Sequence, residues 1–157
     1  MFNVVLVEPE IPPNTGNVGR ICLNSGATLH LIKPLGFSLE ERQLKRAGLD
    51  YWPRVELKLW ESLEEFLKEV SINRCHLATT KGVKPHFDAR FQPGDYLLFG
   101  SESRGLPPFL INSHRDRTIR IPMTPEGRSL NLAVSVGIVL YEGIRQNFIQ
   151  WSEKYGY

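Results

Sequence analysis

Short apolar runs alternate along this chain with longer stretches whose apolar positions recur at helical spacing. Val4–Val7 is a β-branched run of the kind that forms a strand covered on both faces. Leu29–Ile32, Cys75–Ala78, Tyr96–Phe99 and Thr118–Ile121 are further strand candidates. Between them, Thr15–Asn24 reads as a helix that Gly26 terminates. Ser38 with Glu41 forms a capping-box pattern ahead of a helix to about Ala47, ended by Gly48, and Ser62 with Glu65 repeats it ahead of Leu63–Val70. A last long element, about Leu132–Gln146, carries Leu132, Val136, Val139, Leu140 and Gly143 at helical spacing. This alternation predicts an α/β fold, a mainly parallel sheet with flanking helices.

No repeat, low-complexity tract or linker divides the sequence, so residues 1–157 read as one domain with a tail from about 148. The aromatic end of that tail, with Trp151, Tyr155 and Tyr157, either docks on the body, meets a partner subunit or frays.

Composition adds exclusions more than identities. At 41% hydrophobic and 23% charged residues, the chain can bury a core without disulfides or metal. A net charge of +2 and a pI near 8.6 permit an anionic partner without demanding one. Cys22 and Cys75 sit in apolar stretches and match no zinc or redox spacing, as expected of buried thiols in a reducing cytoplasm. No apolar run reaches membrane-spanning length, and no basic leader precedes the first apolar stretch. Neither a membrane segment nor a signal peptide is therefore expected.

Chemistry concentrates just after the predicted strands. Val4–Val7 leads into Glu8–Asn17, Cys75–Ala78 into Thr79–Gly82, Tyr96–Phe99 into Gly100–Gly105, and Thr118–Ile121 into a loop holding Glu126–Asn131. In open parallel sheets the ligand crevice lies outside the carboxyl ends of the strands, so four such loops predict one shared site. There is no P-loop, and Gly16-Asn17-Val18-Gly19 lacks the first glycine and the spacing of a dinucleotide fingerprint. His30, His76, His86 and His114 show neither metal-ligand nor triad spacing. The helix start near Asn14–Gly16 is open to two readings, an anion site built from backbone N–H groups or a structural Asn cap.

Three segments, EPEIPPNTGNVGR (Glu8–Arg20), LLFGSESRGLP (Leu97–Pro107) and IRIPMTPEGRSLNLAVSVGIVLYE (Ile119–Glu142), resemble the three motifs of SPOUT-class RNA 2′-O-methyltransferases. Residues 2 to 147 take part in the likeness, including GLDY (Gly48–Tyr51) and TTKG (Thr79–Gly82). The resemblance implies a SPOUT-type α/β fold with a deep trefoil knot in its C-terminal third. It also implies a homodimer with active sites completed across the interface, and S-adenosylmethionine as methyl donor, without metal. The expected substrate is the wobble ribose of a tRNA, cytidine or modified uridine. Alternatives are a ribose elsewhere in tRNA or in rRNA, or a non-catalytic RNA-binding protein that kept the fold.

Carried over residue by residue, the resemblance assigns the cofactor pocket to Ala78, Thr79, Gly100, Gly105, Ile121, Met123, Ser129 and Leu130. Catalytic positions fall on Asn14, Arg20, Glu102, Ser129 and Asn131. A charged guanidinium has no acceptor and gives up its proton only far above neutral pH, so Arg20 reads as a clamp on a developing alkoxide or a phosphate rather than as a base. Asn14, Ser129 and Asn131 would position groups by hydrogen bonds, with Glu102 ordering its loop. Arg42, Lys45, Arg46 and Arg54 form a basic stretch able to track phosphates, or a solvated face. Ala133 and Val134 stand where relatives of this class carry a polar Ser-Asn pair, which removes hydroxyl and amide contacts from the start of the last helix.

Overall fold

The computed structural model describes residues 1–40 and 50–157. Its centre is the strand β1 (Asn3–Val7), where side chains alternate between the two faces of the sheet. Val4 and Leu6 face one apolar core with Val18, Cys22, Val136 and Leu140; Val5 and Val7 face another with Phe66, Leu77, Leu98 and Leu110. A strand buried on both sides must be apolar throughout, which is why the period-two pattern is invisible in Val-Val-Leu-Val.

Around β1 lie β2 (Thr28–Ile32), β3 (Leu57–Trp60), β4 (Cys75–Ala78), β5 (Lys84–Pro85), β6 (Tyr96–Phe99) and β7 (Thr118–Arg120). The order is β3-β2-β1-β6-β4-β7-β5, and every pairing is parallel. The predicted mainly parallel sheet is therefore present. Two of its strands, β3 and the two-residue β5, escaped the sequence reading because they form the sheet edges and carry little buried apolar surface.

Helix α1 (Pro12–Ser25) begins three residues earlier than its apolar pattern indicates, because Pro12 and Pro13 open it. It ends as expected at Gly26, whose φ of 70° is left-handed. The predicted Ser62 cap is also present: its hydroxyl accepts from the Glu65 amide at 3.1 Å at the head of α2 (Leu63–Glu69). Helix α3 (Pro108–Ser113) was not foreseen; α4 (Leu132–Gln146) was, and it packs across α1.

The tail forms α5 (Phe148–Tyr155) and docks on the body. Trp151 Nε1 donates to the Ser25 carbonyl at 2.8 Å, and the Tyr155 hydroxyl donates to that of Gly26 at 3.0 Å. The predicted helix from Glu41 to Ala47 with its stop at Gly48, and the cations Arg42, Lys45 and Arg46, lie outside the described residues.

Candidate functional site

A cavity of about 740 Å³ opens at the carboxyl ends of β4, β6 and β7. All four predicted loops contribute to it, as the switch-point argument requires. Ala78, Thr79, Gly100, Gly105, Ile121, Met123, Ser129 and Leu130 line it, and so do Asn14, Glu102 and Asn131. Arg20 is absent from the lining. Its guanidinium instead lies 4.8 Å from the centre of the Tyr51 ring, and the Tyr51 hydroxyl donates to the Gly16 carbonyl at 2.7 Å. Burial raises the Tyr51 pKa, against the pull of the neighbouring Arg20 charge.

The start of α1 corrects both earlier readings of Asn14. The residue is inside the helix, not its cap, which is Ile11. Pro12 and Pro13 have no N–H to offer an anion, and the Asn14 amide is bonded to the Ile11 carbonyl at 3.1 Å. The donors just upstream are taken by a side chain: the Glu102 carboxylate accepts from the Glu10 amide at 3.0 Å and from the Ile11 amide at 2.6 Å. The anion at this helix start is thus the protein's own.

Glu102 is one of three consecutive residues that tie the loop after β6 to the loop after β1. Ser103 Oγ donates to the Glu10 carboxylate at 2.6 Å, and Arg104 donates to Glu8 at 3.1 Å. Hydrogen bonds from the Ser103 and Ser101 hydroxyls hold the Glu10 carboxyl below the usual carboxylate range. Glu8 itself has a φ of 52°, a left-handed backbone held in place by these neighbours. The loop after β6 is equally constrained. A Cβ at Gly100 would penetrate the backbone of Gly105 and Leu106, so glycine is needed there for the loop to fold over itself.

At the other wall, Asn131 uses both ends of its amide. Its Oδ1 caps α4 by accepting from the Ala133 and Val134 amides at 2.9 and 3.3 Å, while its Nδ2 donates to Asn14 Oδ1 at 2.9 Å. Ala133 is buried and Val134 is half exposed, so the departure from the polar pair leaves the cap intact and places an apolar side chain on the outer face of α4.

Two cysteines and two histidines among the described residues are set aside by burial and bonding. Burial pushes the Cys22 and Cys75 thiols up to about 12, which makes them inert. His30 and His76 are bonded within the body to Trp60 with Asn3 and to Asp95, away from the cavity. Among the described residues no cluster of three His, Cys, Asp or Glu could hold a metal ion. No described helix is long and apolar enough to cross a membrane. The sequence reading missed Lys81, Arg104, Arg120 and Arg128 as cavity residues. All four fall inside or beside the quoted motifs, where their charge was the available signal.

Known proteins are similar to this chain in sequence and fold. The sequence model of the SpoU rRNA Methylase family matches residues 1–141. A tRNA (cytidine(34)-2'-O)-methyltransferase of Aeromonas hydrophila is 50% identical over 147 residues, which make up 93% of this chain and 94% of the relative. A solved structure described as giving structural insights into the 2-OH methylation of C/U34 on tRNA superposes with a TM-score of 0.87 at 50% identity, over 94% of this chain and 97% of that one. The SpoU methyltransferase AviRb of Streptomyces viridochromogenes, crystallised with AdoMet, is 26% identical with a TM-score of 0.79 and covers 93% of this chain and 57% of its own. With the match spanning nearly the whole sheet and all four cavity loops, the chain belongs to the SpoU rRNA methylase family.

Proposed function

We propose that this protein transfers a methyl group from S-adenosylmethionine to the ribose 2′-hydroxyl of the wobble nucleotide, cytidine or uridine, in tRNA. One observation carries the reading: the three motif loops converge on a single cavity in a chain half identical, almost end to end, to a tRNA (cytidine(34)-2'-O)-methyltransferase. On this reading the protein works in the cytoplasm with its tRNA, a placement supported by relatives named as tRNA methyltransferases.

The cavity fits the methyl donor. Its volume falls in the range of small-molecule sites, and its wall mixes apolar Ile121, Met123 and Leu130 with polar Thr79, Ser129 and Asn131. The glycines at 100 and 105 let main chain, rather than side chain, form the wall beside it. S-adenosylmethionine supplies a methyl group on a positive sulfonium, whose departure as a neutral thioether needs no charge stabilisation.

The chain's own residues align and bind. The cap on α4 fixes the Asn131 amide, which in turn commits Asn14 Oδ1 and leaves Asn14 Nδ2 to meet a substrate oxygen. Glu102 keeps the first turn of α1 in register with the cofactor loop through the Glu10 and Ile11 amides. Ser129 lines the same wall as Asn131. Arg20 acts as an electrostatic clamp on the substrate oxygen or its phosphate.

Arg20 stands off the cavity of its own chain, and this supports a homodimer in which each Arg20 serves the partner's site. Exposed Ile11, Leu130, Val134 and Tyr141 provide apolar surface on the segments that would meet there. We read residues 1–157 as one domain with a C-terminal trefoil knot. The family match over residues 1–141 supports this reading.

The test uses a tRNA whose wobble nucleotide is 2′-deoxy. Binding should survive and transfer should stop. Methylation of that substrate would make a base the acceptor, and methylation of a ribose outside the anticodon loop would favour another RNA position.

A further inference from the structure

The mouth of the cavity carries exposed cations on three separate segments: Lys81 after β4, Arg120 at the end of β7 and Arg128 ahead of α4. Backbone packing fixes the first two as neighbours. The Thr79 amide donates to the Ile119 carbonyl at 2.9 Å, and the Val83 amide donates to Thr118 Oγ1 at 3.1 Å. Between these bonds, a Cβ at Gly82 would enter the main chain of Ile119 and stand 2.7 Å from the Arg120 nitrogen. Only glycine lets the turn lie flat on β7 and deliver Lys81 beside Arg120. Arg128 follows a separate turn, closed by the Gly127 amide on the Thr124 carbonyl at 2.9 Å.

Two acidic groups near this opening, Glu102 and Glu8, are already engaged, while Glu126, two residues before Arg128, is exposed and enters no ion pair among the described residues. Glu102 holds the Glu10 and Ile11 amides, and Glu8 is paired with Arg104. Lys81, Arg120 and Arg128 enter none of the ion pairs among the described residues. Three like charges on constrained turns around one opening repel each other, and a polyanion crossing that opening turns the repulsion into attraction.

We propose that Lys81, Arg120 and Arg128 form a phosphate-binding rim that grips the phosphodiesters flanking the target nucleotide of an RNA loop. The proposal rests on the RNA-methyltransferase reading of the cavity and names how that site holds its polymer. Two guanidiniums offer planar forks matched to phosphate oxygens, and the lysine adds a point charge. The contacts are made to the backbone, so they position the ribose and carry no base preference.

Fluorescence anisotropy of a labelled anticodon stem-loop tests the rim in the full-length protein, with binding followed as salt rises. Lys81→Gln, Arg120→Gln and Arg128→Gln should each weaken binding several-fold, and each should flatten the slope of log affinity against log salt by roughly 0.7 to 0.9. Arg120→Lys should restore the slope and only part of the affinity. Calorimetric affinity for S-adenosylmethionine should stay within about twofold, since phosphate contacts leave the donor pocket alone.

An unchanged salt slope in the three Gln variants overturns the rim. So does a large loss of S-adenosylmethionine affinity, which would assign these cations to the donor's carboxylate. Wild-type protein that binds the stem-loop with the expected slope, lost in the variants, but transfers no methyl leaves the rim standing and defeats the reaction.

Discussion

Asn131 Nδ2 lies 2.9 Å from Asn14 Oδ1, joining residues 117 positions apart at the start of α4 and the first turn of α1. The direction of this bond is set by the helix cap. Because Asn131 Oδ1 must accept from two α4 amides, only its NH₂ can face Asn14. Asn131→Asp keeps the cap and its favourable charge at the helix start, but forces Asn14 to turn its amide round and show the cavity a carbonyl. Urea unfolding should therefore change little, while methyl transfer falls by at least tenfold, the loss typical of one misplaced hydrogen bond at a reacting centre. Asn131→Ala should lose about 1 kcal/mol of stability as well. Normal turnover in the Asp variant would remove Asn14 from the site.

Gly100 and Gly105 face the same cavity for different reasons, and substitution separates them. A Cβ at Gly100 collides with the Gly105–Leu106 main chain, so even Gly100→Ala must spread the loop; donor binding measured by calorimetry should be lost. The obstacle is the protein's own backbone, not the ligand. Gly105 has a φ of 69° and open space around its missing Cβ. Gly105→Ala should cost only about 1 kcal/mol of backbone strain and leave donor affinity within a few-fold.

These contacts mark the limit of what the sequence could reveal. Strand positions were legible because doubly buried strands must be apolar, and Gly26 and Ser62 announced helix ends by local chemistry that needs no tertiary context. The edge strand Leu57–Trp60 was not legible, since its pairing with β2 rather than its composition makes it a strand. The same holds for the site. Motif likeness selected the loops that meet at the cavity, but not that Glu102 occupies the helix start, nor that Arg20 turns to Tyr51. Both depend on which segments touch, and contact between residues far apart in the chain, 92 positions for Glu10 and Glu102, leaves no local periodicity.

Acid should unfold the protein earlier than its carboxylates require. Burial, aided by the nearby Lys58 charge, pushes the His30 pKa down to about 4. Trp60 Nε1 donates to His30 Nδ1, so the proton sits on Nε2 and is given to Asn3 Oδ1; no site remains for a second. Burial also lowers the His76 pKa, although the Asp95 carboxylate pulls it back up. A folded-state pKa below the unfolded value means that the unfolded chain binds the extra proton. Stability from His30 is then complete above about pH 6.5 and is lost as pH falls towards 4, by up to about 3 kcal/mol. Urea midpoints should drop steadily between pH 6.5 and 4.5, and more shallowly in His30→Gln. A flat profile in the wild type would contradict a neutral buried His30.

The separation of Arg20 from its own cavity leads to a test of how the site is assembled. If each Arg20 serves the partner's cavity, Arg20→Ala and Asn131→Asp damage different halves of one composite site. Each variant alone should be nearly inactive as a homodimer. When the two are unfolded together and refolded as a mixture, half of the dimers are mixed, and each mixed dimer holds one site with an intact cavity and an intact arginine. Activity should return to about a quarter of wild type, as random pairing of two subunits dictates. A site built within a single chain gives no recovery at any mixing ratio, because every subunit then carries a lesion of its own. Sedimentation of the same mixture checks that pairing has occurred, so a failure to recover activity with dimers present would place Arg20 in its own subunit's site.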